Sequence, residues 1–219
     1  KEIEAIVELG VEVRYNTRLG QDVTLDELRD RHDALFLAIG ASLGRGLDLE
    51  GGENDGVLKA IEFLINMNRG FATDVGERVI VIGGGDVAMD AARTALRADV
   101  YAETATPPPA PDDHNREGAA ALALESARLA TRSGARNVTV ISLEDDDEMP
   151  ASQIEIEAAH EEGIRFVPRR GPSRVIGENG RVVGLETIGV TSVFDDEGRF
   201  APEFDPEDRQ TFEADTIIL

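Results

Sequence analysis

A glycine-rich run near the middle of the sequence has the spacing of a phosphate-binding turn. It consists of Gly83, Gly84, Gly85, Asp86, Val87 and Ala88 and fits the pattern G-x-G-x-x-[G/A]. Gly83 permits a tight turn, Gly85 has no Cβ to hold a pyrophosphate away from the backbone, and Ala88 lets a helix pack closely. A helix that begins at about Asp86 would direct free N–H groups and its positive dipole end at the phosphates. The run therefore predicts a dinucleotide site.

The segments on either side of the glycine run make this interpretation more specific. The apolar stretch RVIVI (78–82) precedes the run and predicts a buried strand, and the alanine-rich stretch DVAMDAARTAL (86–96) predicts a helix after it. A glycine turn in an unrelated α/β protein remains the alternative. Strand, glycine turn and helix in this order predict a Rossmann-like nucleotide-binding domain.

The residue that contacts the adenosine ribose is expected at the end of the following strand. The usual spacing of about 20 residues reaches 101–107, a stretch that includes part of a proline triplet and cannot end a strand. The next strand pattern is NVTVISLE (137–144), so we interpret 99–134 as an excursion, with an exposed proline-rich insertion at about 99–118. Glu144 would end the strand and accept a hydrogen bond from the ribose 2′-hydroxyl. The neighbouring acids, Asp145–Glu148, are interpreted as a solvated helix start.

Composition excludes several other kinds of site. The sequence has no cysteine, which excludes disulfides, thiolate nucleophiles and iron–sulfur ligation by this chain. Its three histidines (His32, His114 and His160) are far apart and show no metal-ligand spacing. The net charge of −22 would repel a nucleic acid and indicates either high solubility or adaptation to high salt. No apolar run of about 20 residues and no signal segment is present, so a cytoplasmic location is expected.

The order of the remaining patterns predicts an α/β fold with an attached antiparallel β-meander. Helices are predicted at 1–9, 25–31, 57–69 and before Gly163, with Ile61, Leu64, Ile65 and Met67 of the third facing inward. Strands are predicted at 11–17 and 34–42, and Asn179-Gly180 predicts a hairpin turn. ADTIIL (214–219) predicts a further buried strand.

Several of these segments together resemble the glutamate synthase small-subunit family of FAD- and NAD(P)-dependent oxidoreductases. The matching pieces are EIEAIVELGVEVRYNT, LDEL, DALFLAIGAS, VIGGGDVAMDAARTALR, NVTVISLEDDDEMPAS, EAAHEEGIRF and EADTIIL. The resemblance implies that residues 57–219 form the NAD(P)-binding domain and that residues 1–56 are a segment of the FAD-binding domain with its connection. It also implies hydride transfer between nicotinamide and FAD, with no side chain of this chain acting as a catalyst. Because the FAD fingerprint and iron–sulfur cysteines of the family are missing, we expect part of a longer protein, which alone binds no FAD.

The sequence departs from the family pattern where the cofactors NADH and NADPH are distinguished. Members that use NADPH typically place two arginines at the end of the second strand, and Leu143 and Glu144 stand there in this chain. The resemblance therefore implies a preference for NAD(H) over NADP(H). The redox partner would be a glutamate synthase large subunit or an iron–sulfur protein. Two other functions stay open: an NADH-dependent electron-input subunit for a ferredoxin-type partner, and a non-catalytic nucleotide-sensing module.

Overall fold

The chain divides into two units, residues 1–41 and 42–219, and each is described by itself. The computed structural model describes residues 2–40, 46–71, 73–98 and 135–219. The predicted excursion and its proline-rich insertion lie outside the described residues. None of the helices in the described ranges is long and apolar enough to cross a membrane.

The first unit contains two short helices, α1 (Glu2–Val7) and α2 (Leu25–Arg31). Helix α2 begins with the predicted capping box, in which Thr24 Oγ1 accepts from the N–H of Glu27 at 3.2 Å and Glu27 Oε2 accepts from the N–H of Thr24 at 2.8 Å. The predicted strands at 11–17 and 34–42 are wrong for the residues that are described, since 11–17 and 34–40 form none. A strand needs a hydrogen-bonded neighbour, and no described residue pairs with these segments. Phe36 is accordingly 93% exposed.

The second unit is built on a parallel sheet of five strands, with a separate antiparallel sheet of three. The parallel strands lie in the order β1-β8-β2-β3-β4, and the antiparallel strands lie in the order β5-β6-β7. The strands are β1 (Val57–Leu58), β2 (Arg78–Ile82), β3 (Asn137–Ile141), β4 (Arg165–Val167), β5 (Arg170–Glu178), β6 (Arg181–Phe194), β7 (Phe200–Glu213) and β8 (Thr216–Ile218). The helices are α3 (Ala60–Asn68), α4 (Asp86–Leu96) and α5 (Gln153–Glu161).

The parallel sheet is buried on both faces, which explains the continuous apolar runs of its strands. Alternate residues point to opposite faces: Val79 and Val81 of β2 pack with the three helices, whereas Ile80 packs with β5 and β6. The antiparallel sheet thus covers the face where an ordinary doubly wound fold carries a second layer of helices. Its first hairpin turns at Asn179 and Gly180, with φ of 53° and 78°, as the Asn-Gly pair predicts.

Helix α3 begins later than predicted and presents another face to the core. Residues 57–58 are strand, and the N–H of Ala60 donates to the carbonyl of Leu219 at 2.7 Å, which fixes the rotation of the helix. Ala60, Phe63 and Met67 are therefore buried, and of the predicted inward residues only Met67 is fully buried, while Leu64 packs at the edge. The predicted face was wrong because the pairing of β1 with β8, not the helix's own periodicity, sets its orientation.

Strand β8 lies between β1 and β2 and is fixed there by one carboxylate. Oδ2 of Asp215 accepts from the N–H groups of Glu77 and Arg78 at 3.1 and 2.9 Å, and Oδ1 accepts from Arg78 Nη2 at 2.6 Å. The hydrogen bond from the Arg78 side chain holds the pKa of Asp215 below its usual value, against the opposing effect of burial. The pair joins residues that are 137 positions apart.

Candidate functional site

The glycine run forms the turn between β2 and α4 at the carboxyl edge of the parallel sheet. Gly83 has a φ of 131°, a conformation that favours glycine, and its N–H donates to the carbonyl of Ile141 at 2.9 Å. A Cβ at Gly83 would lie 3.5 Å from the Cβ of Ala88, which is ordinary contact. A larger residue at 88 would crowd this approach, so the small side chain lets the helix pack closely on the turn.

Gly85 is the N-cap of α4 and stands at an open surface. A Cβ built on Gly85 would have no heavy atom within 4 Å. No side chain caps the first turn, and the carbonyl of Gly85 accepts from the N–H groups of Ala88 and Met89 at 2.9 and 3.2 Å. The N–H groups of Asp86 and Val87 have no acceptor among the described residues. The open space above Gly85 and these amides have the character of an anion site at a helix N-terminus.

Glu144 lies beside the glycine turn but does not end the strand as predicted. Strand β3 ends at Ile141, the chain bends at residues 143–144, and Glu144 follows three residues after the strand. A Cβ at Gly84 would lie 2.9 Å from Glu144 Oε2, so the carboxylate occupies space that only a glycine leaves free. The Ser142 hydroxyl donates to the Glu144 carbonyl at 3.0 Å and fixes the bend. The structure thus brings the acid and the glycines together.

The side chain of Asp86 is used within the fold. Its Oδ1 accepts from the N–H of Ser152, the N-cap of α5, at 2.7 Å. The neighbouring carbonyl of Gly84 accepts from the N–H of Ala151 at 3.0 Å. The Asp86 carboxylate is thus already bonded, and the Val87 side chain is exposed and apolar. At positions 86 and 87 the backbone N–H is therefore the group that remains to bind a ligand.

Helix α4 is held in place by an ion cluster with α5. Arg93 Nε donates to Glu162 Oε1 at 2.8 Å and its Nη1 donates to Glu155 Oε2 at 2.5 Å, and Arg97 also bonds Glu162. The hydrogen bond with Glu162 raises the pKa of the Arg93 guanidinium above its usual value. These bonds attach the last turn of α4 to α5 and its C-cap.

Two arginines after β4 reach different surroundings. Arg170 is the buried first residue of β5, and its Nη1 donates to Asp208 Oδ2 at 2.6 Å and its Nε donates to Thr187 Oγ1 at 3.1 Å. Arg169 instead faces the turn that follows Glu144, and its N–H donates to the Glu144 carbonyl at 3.3 Å. The sequence suggests Arg169 and Arg170 as the nearest cations that could hold a 2′-phosphate in place of the arginine missing at Leu143, and of the two the structure places Arg169 beside Glu144. The signal was its position directly after a parallel strand, because the carboxyl ends of such strands share one edge.

The site therefore has a glycine turn, free helix amides and an acid at the carboxyl edge of a parallel sheet, where nucleotides bind in such folds. A family model described as pyridine nucleotide-disulphide oxidoreductase matches residues 4–219. The chain belongs to this family. Its members bind FAD and a nicotinamide dinucleotide, and the predicted α/β fold, with a parallel and an antiparallel sheet, is confirmed.

Relatives in this family include subunits of larger enzymes. The NADPH-Fe(3+) oxidoreductase subunit beta of Geobacter sulfurreducens is 33% identical over 100% of this chain and 28% of its own length. The glutamate synthase [NADPH] small chain of Halomonas elongata is 32% identical over 97% of this chain and 40% of its own length. The resemblance to glutamate synthase small subunits is confirmed. The chain spans less than half the length of these two relatives.

A solved structure shares the fold of nearly the whole chain. FprA of Mycobacterium tuberculosis, in complex with NADPH, matches with a TM-score of 0.71 at 22% identity, over 100% of this chain and 57% of FprA. At this level of identity the likeness shows the fold alone.

The family implies a nicotinamide dinucleotide, and the residues of the second unit fit one. The missing Cβ at Gly85 leaves room for a pyrophosphate over the amides of α4, and the Glu144 carboxylate is a hydrogen-bond acceptor next to that room. Within the described ranges no three histidines, cysteines or acids are grouped so that they could hold a metal ion.

Proposed function

We propose that this chain is the nicotinamide-dinucleotide-binding part of a flavin-dependent oxidoreductase, in which hydride passes between nicotinamide and FAD. The observation that carries the proposal is the open space at Gly85, above helix amides that have no acceptor in the described ranges and next to Gly84, against which Glu144 lies. In this proposal residues 57–219 are the nicotinamide-nucleotide domain, and residues 1–56 are a segment of the FAD domain with its connection. Membership of the family supports both assignments.

The residues of this chain would bind and orient the cofactor. The N–H groups of Asp86 and Val87 would hold the pyrophosphate, and the Glu144 carboxylate would accept from the hydroxyls of the adenosine ribose. When bound, the dinucleotide supplies the hydride. Positioning is then the protein's contribution, and no acid–base side chain of this chain is needed.

The finer proposal is a preference for NADH over NADPH. NADPH would bring a dianionic phosphate to the ribose position, where the Glu144 carboxylate lies. Leu143, which stands where NADPH-dependent members typically have an arginine, packs against Gly171, with its Cδ2 3.3 Å from where a Cβ would be. The relatives from Geobacter and Halomonas carry NADPH in their names. This chain would therefore differ from them at the ribose end of the site.

The whole protein would pass electrons to a partner. The relatives are named as a subunit beta and as a small chain, which supports a place in an enzyme of more than one subunit. A glutamate synthase large subunit or an iron–sulfur protein would accept the electrons. The name of the Halomonas relative supports the glutamate synthase large subunit as acceptor, and the name of the Geobacter relative shows that a similar chain occurs in an enzyme with another acceptor, Fe(3+).

Substitution of Gly85 by valine tests the site without disturbing the fold. Gly85 has φ −94° and ψ 169°, which valine adopts readily, and a Cβ there contacts nothing in the chain. Because Gly85 is the N-cap of α4, where valine is less favourable than glycine by up to about 1 kcal/mol, we expect the Gly85→Val variant to unfold no more than about 4 °C below the wild type. Its affinity for NADH, measured by titration calorimetry on the 219-residue chain, should fall by more than about tenfold because the side chain fills the pyrophosphate space.

The matched control is Gly46→Val. Gly46 is exposed, and the nearest atom to a Cβ there is Lys59 Cε at 4.0 Å. This variant should bind NADH as the wild type does. Unchanged NADH binding by Gly85→Val would contradict the proposed pyrophosphate site, and an absence of NADH binding by the wild-type chain would contradict the function.

A further inference from the structure

The backbone of Arg169 is fixed between the ribose end of the site and the antiparallel sheet. Its N–H donates to the carbonyl of Glu144 at 3.3 Å, and its carbonyl accepts from the N–H of Val190 at 2.9 Å. Its φ of 56° is unusual for a residue with a side chain. Such a conformation is strained and persists where the surroundings impose it. The guanidinium is thereby held on the same side as the turn that follows Glu144.

Two carboxylates of that turn engage the guanidinium. Nη2 of Arg169 lies 2.8 Å from Glu148 Oε2, and its Nε lies 3.6 Å from Asp145 Oδ2. Glu148 Oε2 also accepts from the N–H of Asp145 at 3.2 Å, so a hydrogen bond links the two acidic residues directly. One third of the Arg169 side chain is exposed, so a ligand at the edge could reach it.

We propose that Asp145 and Glu148 determine cofactor specificity by occupying Arg169. Free, this guanidinium would bind the 2′-phosphate of NADPH; paired, it offers little attraction. The ribose end carries a net charge of −2, from Glu144, Asp145, Glu148 and Arg169. This charge repels a phosphate dianion and tolerates the ribose hydroxyls of NADH. The inference rests on the proposed function, because it assigns the ribose to this edge.

The test is to free the arginine and then to remove it. In Asp145→Asn/Glu148→Gln, the affinity for NADPH should rise by about tenfold or more, and that for NADH should change by less than about threefold. Adding Arg169→Gln to this double variant should abolish the gain. All variants are measured by titration calorimetry of the full chain with NADPH and with NADH.

A matched control separates Arg169 from the general loss of negative charge. Asp146→Asn/Asp147→Asn removes two charges from the same turn, and these exposed side chains make no ion pair in the described part of the chain. It should raise NADPH affinity by less than about threefold, because exposed charges are screened.

Four outcomes would overturn the inference. They are an equal gain in NADPH affinity in Asp146→Asn/Asp147→Asn, a gain that survives removal of Arg169, no gain in Asp145→Asn/Glu148→Gln, and a wild-type chain that already binds NADPH as tightly as NADH. In the first three cases binding of NADH stands, and the proposed function survives. If neither dinucleotide binds to any variant, the proposed function fails together with the inference.

Discussion

At the scale of single residues, the Glu144 carboxylate occupies the space that a side chain at position 84 would otherwise fill. The Oε2 atom of Glu144 would be 2.9 Å from a Cβ at Gly84. Because the glycine leaves this space free, the Glu144 carboxylate lies against the turn, where we propose that the adenosine ribose binds. Glycine at position 84 therefore makes room for the acid, whereas in the proposed site glycine at position 85 would make room for the phosphates.

Reversing the charge at this carboxylate should change the choice of cofactor. We expect the wild-type chain to bind NADH roughly a hundredfold more tightly than NADPH, since like-charge contact costs on the order of a few kcal/mol. Glu144→Arg should narrow or reverse this ratio, and the neutral Glu144→Gln should narrow it only. Titration calorimetry with both dinucleotides measures the ratio. Equal or tighter binding of NADPH by the wild-type chain would contradict the role given to Glu144.

Site residues whose interactions are local in the sequence could be predicted, and those whose interactions join distant segments could not. The glycine turn could be predicted, since its function depends on neighbours within six positions. The contact of Glu144 with the turn could be predicted from strand order, although the strand ends at Ile141 and not at Glu144. The ion pairs of Arg169 could not, because its positive φ is imposed by bonds to Glu144 and Val190 from two other segments.

At the scale of elements, strand β8 depends on the carboxylate that precedes it. Asp215 bonds two N–H groups and the guanidinium of Arg78. It is about one third exposed, so solvent screening limits its contribution. We expect Asp215→Asn to lower the free energy of unfolding by about 1–2 kcal/mol at pH 7. Glu213→Gln is the matched control: Glu213 contacts the same guanidinium at 2.6 Å but is 80% exposed, so its effect should stay below about 0.5 kcal/mol.

The contribution of Asp215 should depend on pH in a defined direction. The Arg78 hydrogen bond lowers its pKa in the folded state below the value of 3.8. The stabilisation is then fully present above pH 3.8 and is lost as the pH falls through the lowered pKa. Denaturant titrations at pH 7 and in acid should show the difference between wild type and Asp215→Asn shrinking in acid. A difference that is constant with pH would exclude this ionised pair as its source.

Elements that are specified by adjacent residues could be predicted, and elements whose conformation or orientation depends on a partner distant in sequence could not. The hairpin at Asn179-Gly180 and the capping box at Thr24 are set by a few adjacent residues. The stretch 34–40 has the composition of a buried strand, but no described residue pairs with it. The buried face of α3 is set by the sheet pairing of the residues before it and by a bond from Ala60 to Leu219.

At the scale of the whole molecule, the excess of acids dominates the electrostatics. The 44 acids face 22 lysines and arginines, which leaves a net charge of −22. If this composition is an adaptation to salt, self-repulsion destabilises the fold in dilute buffer. Adding KCl from about 0.01 M to about 1 M shortens the Debye length from roughly 30 Å to about 3 Å. We expect the melting temperature to rise clearly over this range, as measured by thermal unfolding. A flat response would leave solubility as the only role of the acidic surface.

The position of β8 has a consequence for the order in which the protein can form. This strand lies between β1 and β2, and its anchor joins Asp215 to Arg78 across 137 positions. During synthesis, β1 and β2 emerge from the ribosome long before the strand that separates them. Until residues 216–218 arrive, the edge of β2 that they will cover has no strand partner in the sheet, and such an edge can pair with another chain. The second strand of the five in the parallel sheet is therefore added last, and completion of the sheet waits for a contact of long sequence separation, a feature of slowly folding topologies.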